Sequence, residues 1–335
     1  MSTPTSDRRP ILVPLDGSPL AEKALRPAAV LARRWGAPLV VVRVVEPRSY
    51  GAVSLAEVSM AESMLEMELA GARAYVEGAA QTLAAEHPGL EVSSQAAVGD
   101  AGRSLIEIEE RVGARLVAMT THGRTGLARW ARGSVAETVL RLGAAPVLLI
   151  RPWDQAATAA ASERAASGGL RVLVPLDGSP MSQEALPLAR ELAAGEGGAL
   201  ILTGIVKLED ERAIGPFYRP HVKEQRRTMR EYLGRLCAEA GERGVAAHSV
   251  VGVEHDVATA IADLASVESA DVIVMSTHGR GAIGRLLYGS IADRVTHVAR
   301  VPVLLYRPHA VARERGAPTP APVAESVGAS GKVAA

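Results

Sequence analysis

The sequence predicts an α/β protein: two tandem, open, doubly wound parallel-sheet domains of five strands each. Three observations predict it. The chain has 335 residues, which at about 150 residues per domain suggests two domains. It also repeats itself. Ile11-Leu12-Val13-Pro14-Leu15-Asp16-Gly17-Ser18-Pro19 returns as Val172-Leu173-Val174-Pro175-Leu176-Asp177-Gly178-Ser179-Pro180, an offset of 161. Thr121-His122-Gly123-Arg124 returns as Thr277-His278-Gly279-Arg280, and Gly133-Ser134 as Gly289-Ser290, both at an offset of 156. A period this long marks a duplicated domain rather than a solenoid, and the drop in offset makes the middle of the second copy shorter. Third, short β-branched runs alternate with longer helical patterns in each copy, which implies βαβ units and a parallel sheet.

The elements follow in order. Residues 11–15 read as a strand, and Ser18-Pro19 supplies an N-cap and a first-turn proline for a helix to about Trp35. Residues 39–45 form a nearly continuous apolar run, as expected of a strand covered on both faces. A helix over about 59–85 leads to a strand at 92–98, a helix at 103–112 and a strand at 116–120. A helix opening at Ser134 and a strand at 147–150 complete the copy. The second copy predicts strands near 171–176, 200–206, 246–251, 272–276 and 303–306. Met60, Met64 and Met67 share helical spacing and read as core. The domains are expected at 10–151 and 171–308. The small, polar segment 152–170 reads as a linker, and 1–9 and 309–335 as disordered ends.

Composition removes several function classes. Lys plus Arg and Asp plus Glu are both 37, so no global charge draws the chain to nucleic acid or an anionic membrane. Aromatics are 3%, too few for a base-stacking platform. One cysteine, Cys237, rules out an internal disulfide framework and a Cys-rich zinc site, which fits the cytoplasm. No apolar run approaches the roughly 20 residues of a membrane span, and residues 1–10 show no secretory signal.

In open α/β sheets, ligands bind beyond the carboxyl ends of the strands. Asp16 and Asp177 follow strand one of each copy, where a carboxylate suits a ribose hydroxyl or a metal-bridged phosphate. After strand four, Gly123 and Gly279 can bring bare backbone N–H groups close to an anion. Gly133-Ser134 and Gly289-Ser290, nine residues on, place N–H groups and a hydroxyl at a helix N-terminus, where the dipole favours negative charge. Each piece alone reads as an ordinary turn or cap. Six pieces in register across two copies read as a phosphate-bearing ligand.

These motifs together resemble the universal stress protein family: V-P-L-D-G-S near the start, T-H-G-R after strand four, G-S nine residues later and P-V-L-L at the end. The resemblance spans roughly 10–151 and 171–307 and implies a tandem member with the adenine nucleotide α-hydrolase-like fold. The family's nucleotide-binding pattern is G-x2-G-x9-G-[S/T]; Thr120 and Ser276 stand where its first glycine would be. The resemblance implies that Asp16 and Asp177 contact the nucleoside side and that Val44 and Ile205 hold adenine through their backbone. Thr120, His122, Gly123, Arg124, Gly133 and Ser134 would wrap the phosphates, as would Ser276, His278, Gly279, Arg280, Gly289 and Ser290. The ligand would be ATP, ADP or AMP, with or without Mg²⁺. The resemblance further implies pairing through the last strands, between the two domains or in a homodimer, and a regulatory protein partner.

No P-loop is present. The only Gly-Lys pair is Gly331-Lys332, followed by Val, and neither motif contains a Lys. No base is placed for water attack. The expected function is therefore nucleotide-dependent stress regulation through conformation or association. The alternative is a slow ATPase or an autophosphorylating phosphotransfer enzyme of the same fold.

Overall fold

The computed structural model describes residues 8–47, 55–120, 134–151, 168–208, 218–277 and 289–307. The expected linker and both ends fall largely outside these residues. The first half contains β1 (Ile11–Pro14), α1 (Pro19–Glu22), α2 (Leu25–Trp35), β2 (Leu39–Val45), α3 (Leu55–Glu86), β3 (Val92–Val98), α4 (Ala101–Val112), β4 (Leu116–Thr120), α5 (Ser134–Leu142) and β5 (Val147–Ile150). The second contains β6 (Arg171–Pro175), α6 (Pro180–Gln183), α7 (Leu186–Ala193), β7 (Ala199–Lys207), α8 (Tyr218–Glu242), β8 (Ala247–Glu254), α9 (Val257–Val267), β9 (Val272–Ser276), α10 (Ser290–Val298) and β10 (Val303–Tyr306).

The helix expected to run unbroken to Trp35 is two helices, interrupted at Lys23 and Ala24. Pro27 has no N–H to give the preceding turn, and its ring crowds the carbonyl four residues back. It sits in the first turn of α2, where N–H groups have no intrahelical partner in any case. Pro187 separates α6 from α7 in the same way.

The strands form one ten-stranded sheet in the order β3-β2-β1-β4-β5-β10-β9-β6-β7-β8. Neighbours within each half run parallel, with β1 between β2 and β4 and β6 between β7 and β9. The halves join where β10 pairs antiparallel with β5, Leu304 opposite Leu148. Alternate strand residues face two apolar layers. Ile11, Val13, Leu39 and Val41 pack in one layer with α2 and α3, and Val172, Val174, Leu200 and Leu202 join that layer with α7 and α8. Leu12, Val42, Val117, Leu173, Ile201 and Ile273 face the other layer, built on α4, α5, α9 and α10.

Met60, Met64 and Met67 are not core: they are 61%, 41% and 73% exposed. α3 has 32 residues, about 48 Å of helix, against seven residues, about 23 Å, in the neighbouring strand β2. Its carboxyl-terminal half covers the sheet through Val76, Ala80 and Leu83, so its amino-terminal half has less to pack against.

Candidate functional site

The register brings the sequence-predicted residues of each half to one edge. Pro14 lies opposite Val42 and Leu12 opposite Val117, which sets Asp16, Val44 and Thr120 at the carboxyl ends of β1, β2 and β4. In the second half Pro175 opposite Thr203 and Leu173 opposite Ile273 do the same for Asp177, Ile205 and Ser276. The first turn after each lead strand is built alike. Leu15 N–H donates to the Val42 carbonyl and Leu176 N–H to the Thr203 carbonyl, each at 2.7 Å. Asp16 Oδ1 accepts from Ser18 N–H and Asp177 Oδ1 from Ser179 N–H, both at 2.9 Å. In the second half Ser179 Oγ also donates to Asp177 Oδ1 at 2.6 Å and Ser182 Oγ to the Ser179 carbonyl at 2.8 Å.

Val44 and Ile205 are half-buried against the layer formed by α4, α5, α9 and α10. Thr120 and Ser276 are buried, as is Thr277. At the end of β9, Gly289 N–H donates to the Thr277 carbonyl at 2.7 Å. This bond seats the start of α10 against the strand end. Gly289 is the N-cap of α10 and offers no side chain to its first-turn N–H groups, and Ser290 beside it is exposed. Ser134 opens α5 at the equivalent place in the first half. His122, Gly123, Arg124, Gly133, His278, Gly279 and Arg280 lie outside the described residues.

Arg43 is a feature that the motifs did not single out. Its guanidinium lies over Gly17, whose Cβ, if present, would stand 3.1 Å from Arg43 Cζ. It also sits 5.1 Å from the centre of the Tyr75 ring. The Tyr75 hydroxyl donates to Glu22 Oε1 at 2.7 Å. Burial, and then Glu22, push the phenol well above its ordinary pKa. The second half has Gly204 at this register, and the Met229 thioether occupies the space beside it. The signal was visible as a lone charge in an otherwise apolar strand, Leu39-Val40-Val41-Val42-Arg43-Val44-Val45. A cleft of about 320 Å³, lined by Arg8, Arg33 and Glu91 among others, lies at the opposite edge of the first half, by the amino ends of β2 and β3. Among the described residues no three His, Cys, Asp or Glu are grouped to hold a metal ion, and no helix is long and apolar enough to cross a membrane.

The model of the universal stress protein family matches residues 7–151 and again 170–307. The chain belongs to the universal stress protein family, as a tandem member. A universal stress protein of Mycolicibacterium smegmatis is 30% identical over 305 residues, 89% of this chain and 97% of that protein. One of Mycobacterium tuberculosis is 30% identical over 219 residues, 65% of this chain and 70% of its own length. Among solved structures, a universal stress protein from Archaeoglobus fulgidus covers 90% of this chain and 99% of its own at a TM-score of 0.63 and 20% identity. The last comparison supports the fold alone.

Proposed function

We propose that this universal stress protein binds an adenine nucleotide, ATP, ADP or AMP, at the carboxyl edge of each half, and that occupancy regulates its conformation or association in a stress response. One observation carries the reading. In both halves the same register sets an aspartate after the lead strand beside the end of the fourth strand, and the Gly-Ser helix start follows that strand end in sequence. A helix start with first-turn N–H groups uncapped by a side chain suits phosphate, and Asp16 or Asp177 suits a ribose hydroxyl. Thr120, His122, Gly123, Arg124, Gly133 and Ser134, with Ser276, His278, Gly279, Arg280, Gly289 and Ser290, are the residues assigned to phosphate. Val44 and Ile205 are assigned to adenine. Mg²⁺, where it accompanies the phosphates, meets one of these aspartates per half, with phosphate and water oxygens supplying the rest.

Native mass spectrometry and calorimetry with ATP test this. Up to two nucleotides per chain are expected. Asp16→Ala with Asp177→Ala, and separately Gly133→Ala with Gly289→Ala, are each expected to weaken binding at least ~10-fold, about 1.4 kcal/mol. Unchanged affinity in both pairs removes the site assignment. Phosphate release by the purified protein is expected to stay near background, since neither motif carries the lysine of a P-loop.

A further inference from the structure

Arg43 stands on β2 between Val42, whose carbonyl accepts from Leu15 N–H in the turn after β1, and Val44, assigned to adenine. Side chains alternate along a strand. Leu39 and Val41 face the layer of α2 and α3, so Arg43 leaves the strand on that face and Val44 on the other. The guanidinium reaches the Asp16 turn and lies flat on it. A Cβ on Gly17 would stand 3.1 Å from Cζ, 3.1 Å from Nη1 and 3.2 Å from Nη2, and three nearly equal distances mean a face-on approach. Gly17 has φ +85°, so the residue that makes the left-handed turn is also the one that admits the guanidinium.

Arg43 is itself held from behind. The Tyr75 ring of α3 backs it at 5.1 Å, and the Tyr75 hydroxyl is tied to Glu22 at the end of α1. Arg43 and Asp16 both act on the Tyr75 phenol, with opposite signs, so cation and carboxylate belong to one cluster. The second half is built differently. Gly204, at the register of Arg43, has no side chain, and the Met229 thioether of α8 fills the space beside it. There Ser179 Oγ donates to Asp177 Oδ1 from within the turn itself.

We propose that Arg43 is a positioning residue for the first half's nucleotide site, fixing the Asp16 turn so that its carboxylate meets the ribose hydroxyls. The two halves therefore hold equivalent aspartates by different means. This inference rests on the nucleotide reading above. A turn ordered before the ligand arrives removes a cost that binding would otherwise carry, and that gain is realised only by a ligand that uses Asp16.

Calorimetry on the full chain with ATP and with 2′,3′-dideoxy-ATP, which offers Asp16 no ribose hydroxyl, tests this. Asp177→Ala weakens the second site and leaves the first to be read. In that variant ATP is expected to bind roughly 10-fold tighter than the dideoxy nucleotide. Adding Arg43→Met is expected to weaken ATP by roughly 5-fold and the dideoxy nucleotide by less than about 2-fold, so the preference collapses. In Asp16→Ala, where the second site is read, Arg43→Met leaves both affinities as they were. Were Arg43→Met to unfold, Arg43→Lys carries the same test, because an ammonium does not lie flat on a glycine. An equal loss for both nucleotides overturns the proposal, as does an unchanged preference or an effect shared by both halves. Absence of ATP binding by the parent chain overturns the nucleotide reading itself, and Arg43's role with it.

Discussion

Glu109 is a carboxylate buried in α4, 3% exposed. Its Oε1 accepts the Ala144 and Ala145 N–H groups, each at 2.6 Å, while Oε2 has no hydrogen-bond partner among the described residues. Burial pushes its pKa up, against the pull of those two N–H groups. A carboxyl whose folded pKa lies above its unfolded one contributes most below the unfolded value. That contribution is lost as pH rises through the folded value. Glu109→Gln keeps an acceptor at Oε1 and removes the charge. Its melting temperature relative to the parent is expected to climb from acid to neutral pH, and a pH-independent difference would argue against the charge as cause. Gly143 beside it has no room for a side chain, because a Cβ would stand 2.5 Å from Glu109 Oε2 and 2.7 Å from the Val139 carbonyl oxygen. Gly143→Ala is expected to cost about 1–3 kcal/mol in a denaturant titration. Cys237 is half-buried, and burial raises its thiol pKa. It is expected to alkylate more slowly than an exposed cysteine at neutral pH, and unfolding should abolish the difference.

At the scale of elements, most boundaries follow from caps that the sequence displays. Ser18 accepts from Ala21 N–H at 3.2 Å and Asp100 from Arg103 N–H at 2.9 Å, each starting a helix. Asp100→Ala is expected to cost about 1 kcal/mol, read as a lower denaturation midpoint. Where the elements departed from expectation, the cause lies in steric or long-range terms. Pro27 and Pro187 split the first helix of each half, although the apolar periodicity runs through them. The methionines of α3 keep helical spacing, yet spacing does not say how far the sheet beneath a helix extends. Arg43 was legible as an anomaly in β2, but its seat over Gly17 depends on Tyr75, 32 residues later, and its replacement by Gly204 depends on Met229.

For the whole molecule, the β5–β10 seam is what makes one sheet of two halves. It is tied by a symmetric exchange: Arg151 donates to the Ala299 carbonyl at 2.9 Å, and Arg307 to the Gly143 carbonyl at 3.0 Å. Each arginine follows the last strand of one half and meets the carboxyl end of the last helix of the other, where the dipole favours a cation. On the flanking side, the Arg34 guanidinium donates to carbonyls of Gly168, Glu191 and Ala194, and Arg115 pairs with Glu191 while lying 4.0 Å over the Trp35 ring. Calorimetric unfolding is therefore expected as one transition. Arg151→Ala with Arg307→Ala should lower its midpoint, at about 1 kcal/mol per lost bond; an unchanged midpoint would show that these two bonds do not hold the seam. The sequence by itself determined the duplication, the order of strands and helices, the aspartate and Gly-Ser positions at strand ends and, through them, the family. These are local patterns or repeats of local patterns, and periodicity encodes which face of an element is apolar. Only the tertiary structure decided that the two candidate sites open at opposite edges of a single sheet, that α3 presents methionines outward, and that Arg43 attends one half alone. An apolar run such as Val303-Leu304-Leu305 pairs equally well in either direction, and its antiparallel partner lies 156 residues away. That direction is fixed by hydrogen bonds and packing across the seam, which no local pattern records.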